Sequence, residues 1–285
     1  MSRLLSSIRI DEVIVLQGAP LLGVCFAIGP LTPHKLAEAA IFTVASLCLV
    51  AHVFAFNDWS GIHGDLRDPN RAARTFQSKG ITRAEAGLVA AILLLIGLLL
   101  FGLLGTRTLV LALAIAALSA LYSAPAIHLK GMPLLASVLH LAGGTLHFLL
   151  GYALFAAIDT HGVVIGCFFG LVFAAGHLMH EVRDFDGDRL NGIRTNAVAF
   201  GKARVFGAGV ALFTAAYALL IALAASNVVP RVLLVAAALG PVHLWASLRA
   251  WRSGLDLRSL RRLQRCYRLI YAVIGIVMAA GTLAG

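Results

Sequence analysis

Charge is what this sequence has least of. Only 13% of its 285 residues are Asp, Glu, Lys or Arg, where a soluble globular domain carries about 25%. With 60% hydrophobic residues and a mean hydropathy of +0.91, that shortage excludes a soluble fold and predicts a chain that crosses a membrane many times. Cysteine is scarce too. Cys25, Cys48, Cys167 and Cys266 lie in or beside apolar runs with no paired spacing, which argues against a disulfide framework or a zinc site and leaves packed thiols. The alternation of a transmembrane β-barrel is missing. Residues 1–7 lack the compact apolar core and cleavage site of a secretory signal. Acidic residues number 13 against 23 Lys and Arg, a net charge of +10. Such a surplus would suit nucleic acid, but its distribution follows membrane topology instead, so no nucleic-acid partner is expected.

About nine apolar runs are present, at 12–30, 36–56, 84–104, 108–124, 133–157, 162–180, 203–225, 229–250 and 267–284. Each is near the ~20 residues that a spanning helix needs, and lipid leaves the backbone no other choice. The predicted class is an all-α membrane protein, a single domain over 1–285. Threading nine helices puts all but Lys35, Arg107 and Arg231 of the 23 Lys and Arg on one side. By the positive-inside rule that side, which holds the N-terminus, is cytoplasmic, and the C-terminus is outside.

The few acids cluster. Asn57-Asp58, Asp65 and Asp68 follow the second run; Glu181-Val-Arg-Asp-Phe-Asp-Gly-Asp188 follows the sixth. Both fall on the expected cytoplasmic side, in connections read as 57–83 and 181–202. Carboxylates this close repel one another unless cations sit among them. Magnesium, an oxygen-ligand ion that binds through one or two carboxylates plus substrate phosphates, fits two such clusters facing each other. Basic residues on the same side, Arg67, Arg74, Lys130 and Arg194, would complete a diphosphate clamp, and an apolar cavity would protect a hydrocarbon cation from water. Each cluster is followed by Arg-Thr, at Arg74-Thr75 and Arg194-Thr195. That echo is consistent with two four-helix halves plus one helix.

These residues resemble the UbiA-type intramembrane prenyltransferases. Asn57-Asp58 with Asp65 looks like the family's first acidic motif, with Gly61 where its middle Asp would stand. Asp184-Phe-Asp-Gly-Asp188, continuing to Thr195, looks like its second. Tyr122-Ser-Ala-Pro125 through Lys130 to Pro133 resembles its loop between helices four and five, and Gln17-Gly-Ala-Pro20-Leu-Leu-Gly23 is in keeping; the usual Arg-Pro before helix one is replaced by Arg9-Ile10. The resemblance implies helices around a central cavity in a bacterial inner (plasma) membrane. It also implies magnesium-dependent transfer of a prenyl group from a polyprenyl diphosphate to a hydrophobic acceptor, an aromatic quinone or other lipid precursor. Asn57, Asp58, Asp65, Asp184 and Asp188 become the expected magnesium residues, with Asp68 as a substitute for the missing acid. Tyr122, Lys130 and Arg74, with Arg67 and Arg194, become diphosphate contacts. Asp58, Asp184 and Lys130 are the expected catalytic residues, and Mg2+ is the expected cofactor. The irregular first motif keeps open a terpene cyclase of the same scaffold, acting without acceptor.

Histidines supply a third set. His140 and His147 lie seven apart, on one helix stripe, and His180 precedes the second acidic cluster. They are read as packed polar groups or as an acceptor-pocket wall that polarises a hydroxyl or carbonyl. The basic run Arg258 to Arg268 is read as an anchor to anionic lipid.

Overall fold

The computed structural model describes residues 8–127 and 129–284; the expectations for residues 1–7, and the motif position His128, lie outside these. Among the described residues all regular structure is helical, and nine helices are long and apolar enough to cross a membrane. They are α1 (Ile10–Ala27), α2 (Pro33–Arg67), α3 (Arg83–Leu104), α4 (Thr106–Ser123), α5 (Leu135–Tyr152), α6 (Thr160–Leu190), α7 (Lys202–Ala225), α8 (Leu233–Arg252) and α9 (Leu257–Ala284). Large apolar side chains such as Leu95, Leu99, Leu103, Val235, Leu269 and Ile276 are exposed, as on a surface solvated by lipid tails.

The main correction concerns length. The expected 36–56 and 162–180 are α2 and α6, of 35 and 31 residues. At ~1.5 Å per residue, 35 residues reach ~52 Å, well past a ~30 Å hydrocarbon layer. The acidic clusters therefore ride on rigid helical extensions, not in the expected connections 57–83 and 181–202. Hydropathy ends where the lipid would end, but the backbone continues as helix because its polar residues still leave i→i−4 bonds intact. The same correction applies to α9, whose helix begins at Leu257 and so includes the basic run.

Local signals set the ends. Thr32 caps α2 through Lys35 N, with Pro33 in its first turn. Thr82 and Glu85 form a reciprocal capping box on α3, and Asp159 accepts from Gly162 N at the start of α6. Beneath the connection from α2 to α3, Ile62, Phe76, Ile81 and Ala86 form a small core beside Trp59, over which Arg83 stacks at 4.7 Å. This core fixes residues 68–82 over the end of the bundle.

Helix α2 packs closely on α3, and α6 on both α5 and α7. Helices α1 and α5 approach most closely at Gly23 and Gly151. A Cβ on Gly151 would stand 1.8 Å from the Pro20 carbonyl oxygen, so no other residue fits there without moving a helix. Packing α5 against both α1 and α6 leaves a space between α2, α4, α5 and α6.

Candidate active site

The two acidic clusters meet. At the ends of α2 and α6, Asn191 Nδ2 donates to the carbonyls of Gly64 and Gly187, both at 3.0 Å. Gly187 lets the helices close: a Cβ there would lie 2.3 Å from Asp68 Oδ2. Helical spacing puts Asn57, Gly61, Gly64 and Asp68 on one face of α2, and Asp184 and Asp188 on one face of α6.

Arg71, from the connection after α2, joins them. Its guanidinium donates to Asp65 Oδ1 at 2.9 Å and to Asp184 Oδ2, and lies 3.6 Å from Asp68. Burial alone would lower its pKa, but Asp184 and Asp65 outweigh that and hold it above its ordinary value. Arg183 donates to both oxygens of Asp184, at 2.7 and 2.8 Å, and to Gln264 Oε1 at 2.8 Å. Asp58 is gripped by Arg9, whose Nε lies 3.0 Å away. Asn57 donates to Ser123 Oγ at 2.9 Å. Asp188 is buried, and no hydrogen-bond partner is found for its carboxylate among the described residues.

Two connected cavities open here. The smaller, about 40 Å³, lies between the ends of α2 and α6 and is lined by Gly61, Asp65, Asp68, Gly187 and Asp188 among others. The larger, about 260 Å³, runs into the bundle. Asn57, Arg71, Ser123, Lys130 and Asp188 line both. Farther from the acids, the wall is Leu16, Val50, Val53, Phe54, Ile115, Leu118, Leu139 and Phe173. One end of the space is therefore carboxylate and cation, and the other is hydrocarbon.

A histidine and tyrosine cluster forms part of the wall. His140 and His177 stack with centroids 3.7 Å apart and 8° between planes, and Tyr122 meets His140 edge-on at 4.9 Å. Glu181 Oε1 is 3.0 Å from His177 Nε2. Asn196 Nδ2 and Ala197 N hold the Glu181 carboxylate at 3.1 and 3.4 Å. His147 lines the cavity beside Phe173. His180 also lines it, and its Nε2 lies 2.9 Å from Gln264 Nε2.

Most residues predicted from the sequence converge here: Asn57, Asp65, Asp68, Asp184 and Asp188 around the acidic end, with Tyr122, Lys130, His140, His147 and His180 on the wall. Asp58 lies beside them through Arg9, itself a wall residue. Arg67, Arg74 and Arg194 do not converge; they are exposed and line neither cavity. Besides the predicted Lys130, the cations that face the acids are Arg9, Arg71 and Arg183, which sequence reasoning did not assign to the site. The available signal was spacing: Arg71 is three residues past Asp68, and Arg183 adjoins Asp184. Asp186 is exposed, 3.4 Å from Lys202.

No group of three His, Cys, Asp or Glu is preassembled as a metal cage among the described residues. The donor set still suits magnesium: all are hard oxygens, and magnesium asks the protein for only one or two carboxylates. Asp188, buried and lining the small cavity in which Gly61 leaves room, with no hydrogen bond to its carboxylate found among the described residues, is the observation that carries the fit.

A model of the UbiA prenyltransferase family matches residues 18–281. No curated relative matches the sequence. Solved structures of similar fold include a UbiA homologue of Aeropyrum pernix K1 in its apo form, at 22% identity and a TM-score of 0.77, covering 97% of this chain and 98% of that one. A structure concerning digeranylgeranylglyceryl phosphate synthase follows at 17% identity and 0.73, covering 100% and 99%. A UbiA homologue of Archaeoglobus fulgidus, bound to GPP and Mg2+, matches at 17% and 0.69, covering 99% and 100%.

Proposed function

This chain belongs to the UbiA prenyltransferase family, and from that premise we propose that it is a magnesium-dependent enzyme transferring a prenyl group from a polyprenyl diphosphate to a hydrophobic acceptor, an aromatic quinone precursor or other lipid. One observation carries the reading: two acidic clusters, joined by Arg71 reaching Asp184 across 113 residues, meet at the mouth of a cavity whose inner wall is hydrocarbon. The magnesium-bound and GPP-bound state of the Archaeoglobus fulgidus homologue supports it.

Asp184 and Asp188 on α6, with Asn57, Asp58, Asp65 and Asp68 on α2 and just after it, would hold the metal. Bound there, magnesium supplies charge neutralisation for diphosphate oxygens. Arg71 and Lys130 supply the protein's own cations at the same end, and Tyr122 a phenol beside them. As the bond between C1 and diphosphate oxygen lengthens, these fixed positive groups favour the charge developing on the leaving group. The apolar wall excludes water from the hydrocarbon cation. Arg67, Arg74 and Arg194 are kept as outer attraction for an anionic substrate, which their exposure suits.

The whole chain acts as one domain, since α1, α2, α4, α5 and α6 all line the cavity. We assign it to a bacterial inner membrane with the acidic end and N-terminus cytoplasmic and the C-terminus outside, on the distribution of Lys and Arg. The basic face of α9 lies against anionic lipid. Purified protein should release diphosphate from a prenyl diphosphate only with magnesium and an acceptor present. Release of a cyclic hydrocarbon or alcohol without acceptor would replace transferase by terpene cyclase.

A further inference from the structure

Two arginines hold Asp184, and they are not anchored alike. Arg183 donates to both Asp184 oxygens and, through the same guanidinium, to Gln264 Oε1 at 2.8 Å. Gln264 is buried on α9, and its Nε2 lies 2.9 Å from His180 Nε2. Arg183 is thus tied to a second helix. Arg71 has no such anchor. Its guanidinium donates to Asp65 Oδ1 at 2.9 Å and to Asp184 Oδ2, and lies 3.6 Å from Asp68 Oδ2. No other bond from this side chain is found among the described residues. All its partners are acids expected at the metal.

Arg71 therefore stands where a cation between the two clusters would stand. Its backbone is fixed: Arg71 N and Ala72 N donate to the Asp68 carbonyl at 3.0 and 2.9 Å, and Asn70 N donates to Asp68 Oδ1 at 2.9 Å. Its side chain is long and lines both cavities, so rotation about its own bonds carries the guanidinium from one to the other. A guanidinium leaves partly buried carboxylates readily only for another anion, because an unpaired charge there is costly. A diphosphate is such an anion, and it accepts a guanidinium in the same bidentate geometry.

We propose that Arg71 is an exchangeable plug of the metal site. It occupies Asp65 and Asp184 until a diphosphate draws it off, so metal alone is held out and metal and prenyl diphosphate enter together. This rests on the transferase reading above. The exchange keeps the charges paired. Asp65 and Asp184 Oδ2 pass from guanidinium to metal, and the guanidinium passes to phosphate oxygen. Arg183 stays on Asp184 throughout and keeps that carboxylate oriented, because Gln264 holds it.

The test uses the full chain in phosphatidylcholine liposomes, with manganese as the probe. Manganese shares magnesium's octahedral oxygen chemistry, and its binding is read from the loss of the free-ion electron paramagnetic resonance signal. With no diphosphate present, Arg71→Gln should bind manganese at least ~10-fold more tightly than the unaltered protein, the scale of one partly buried ion pair that the metal need no longer break. Arg71→Lys keeps the charge but cannot span Asp65 and Asp184, and should bind manganese at least ~3-fold more tightly. Radiolabelled geranyl thiolodiphosphate, whose C–S bond resists cleavage, should bind Arg71→Gln ~10-fold more weakly at saturating manganese, one arginine–phosphate contact being lost. Manganese binding no tighter in either variant overturns the proposal. So does a gain confined to Arg71→Gln, the mark of a general charge effect, and so does unchanged binding of the thiolodiphosphate. Each of these outcomes leaves the transferase reading standing. Absence of manganese-dependent thiolodiphosphate binding in the unaltered protein overturns that reading, and this one with it.

Discussion

The two acidic clusters look alike in sequence and differ in the folded protein. The first, on α2, is tied off residue by residue. Arg9 grips Asp58, Arg71 binds Asp65 and stands near Asp68, and Asn57 is committed to Ser123. Where another acid would continue the face there is Gly61, which lines the smaller cavity and leaves it open. The second cluster, on α6, shares Arg71 and adds Arg183 at Asp184, but Asp188 is buried with only the longer-range charge of Lys130 and Arg71 acting on it, and no hydrogen bond to its carboxylate is found among the described residues. A buried carboxylate that no donor contacts directly is costly, and an incoming cation relieves that cost. The comparison assigns the second cluster the leading part in holding metal, with the first serving through Arg71 to close the site.

That asymmetry can be broken directly. Asp184→Ala removes the carboxylate shared by Arg71 and Arg183. Prenyl-transfer kcat/KM should fall at least ~10³-fold, about 4 kcal/mol of transition-state stabilisation. Chelating magnesium should reproduce the loss in the unaltered protein, and normal turnover in the variant would remove Asp184 from the site. Next in size is Arg71→Ala, which frees both clusters at once. A fall of about 10²-fold in kcat/KM is expected, the scale of one lost electrostatic donor. Arg71→Lys should recover little, because a single ammonium cannot span Asp65 and Asp184 together.

How far the sequence reveals this difference depends on the kind of signal. The nine spanning helices are legible because hydrophobic length is a local property, readable one run at a time, as is the placement of Lys and Arg on which the proposed sidedness rests. The acids that would bind metal are legible because carboxylate density is also local. The partners of those acids are not. Arg9 reaches Asp58 across 49 residues and Arg71 reaches Asp184 across 113, and only the packing of α1, α2 and α6 decides that these arginines face inward while Arg67, Arg74 and Arg194 face out. The extensions of α2 to Arg67 and α6 to Leu190 were hidden for a different reason. Hydropathy reports where lipid stops, not where a helix stops.

Gly61 offers the means to sharpen the comparison. A Cβ there meets nothing nearer than Asp65 Oδ2, at 3.9 Å, so Gly61→Asp adds a carboxylate to the small cavity without a clash. It should make the first cluster more like the second, lowering the magnesium concentration for half-maximal activity by about threefold, since added ligand charge strengthens binding of a hard cation. An unchanged magnesium requirement would show that α2 contributes position and not ligands.

The smallest effect is expected at Arg67, and it tests the same division from outside. Arg67 is one residue before Asp68 but points away from both cavities and is exposed. A solvated cation of this kind contributes little to a buried site and is screened by salt. Arg67→Ala should therefore change kcat/KM by less than about threefold at 0.15 M salt. Any larger loss that persists at high salt would mean that the connection after α2 rearranges on binding, carrying Arg67 inward. Arg71 would then be one of several arginines exchanged at the mouth, and the first cluster would be as open as the second.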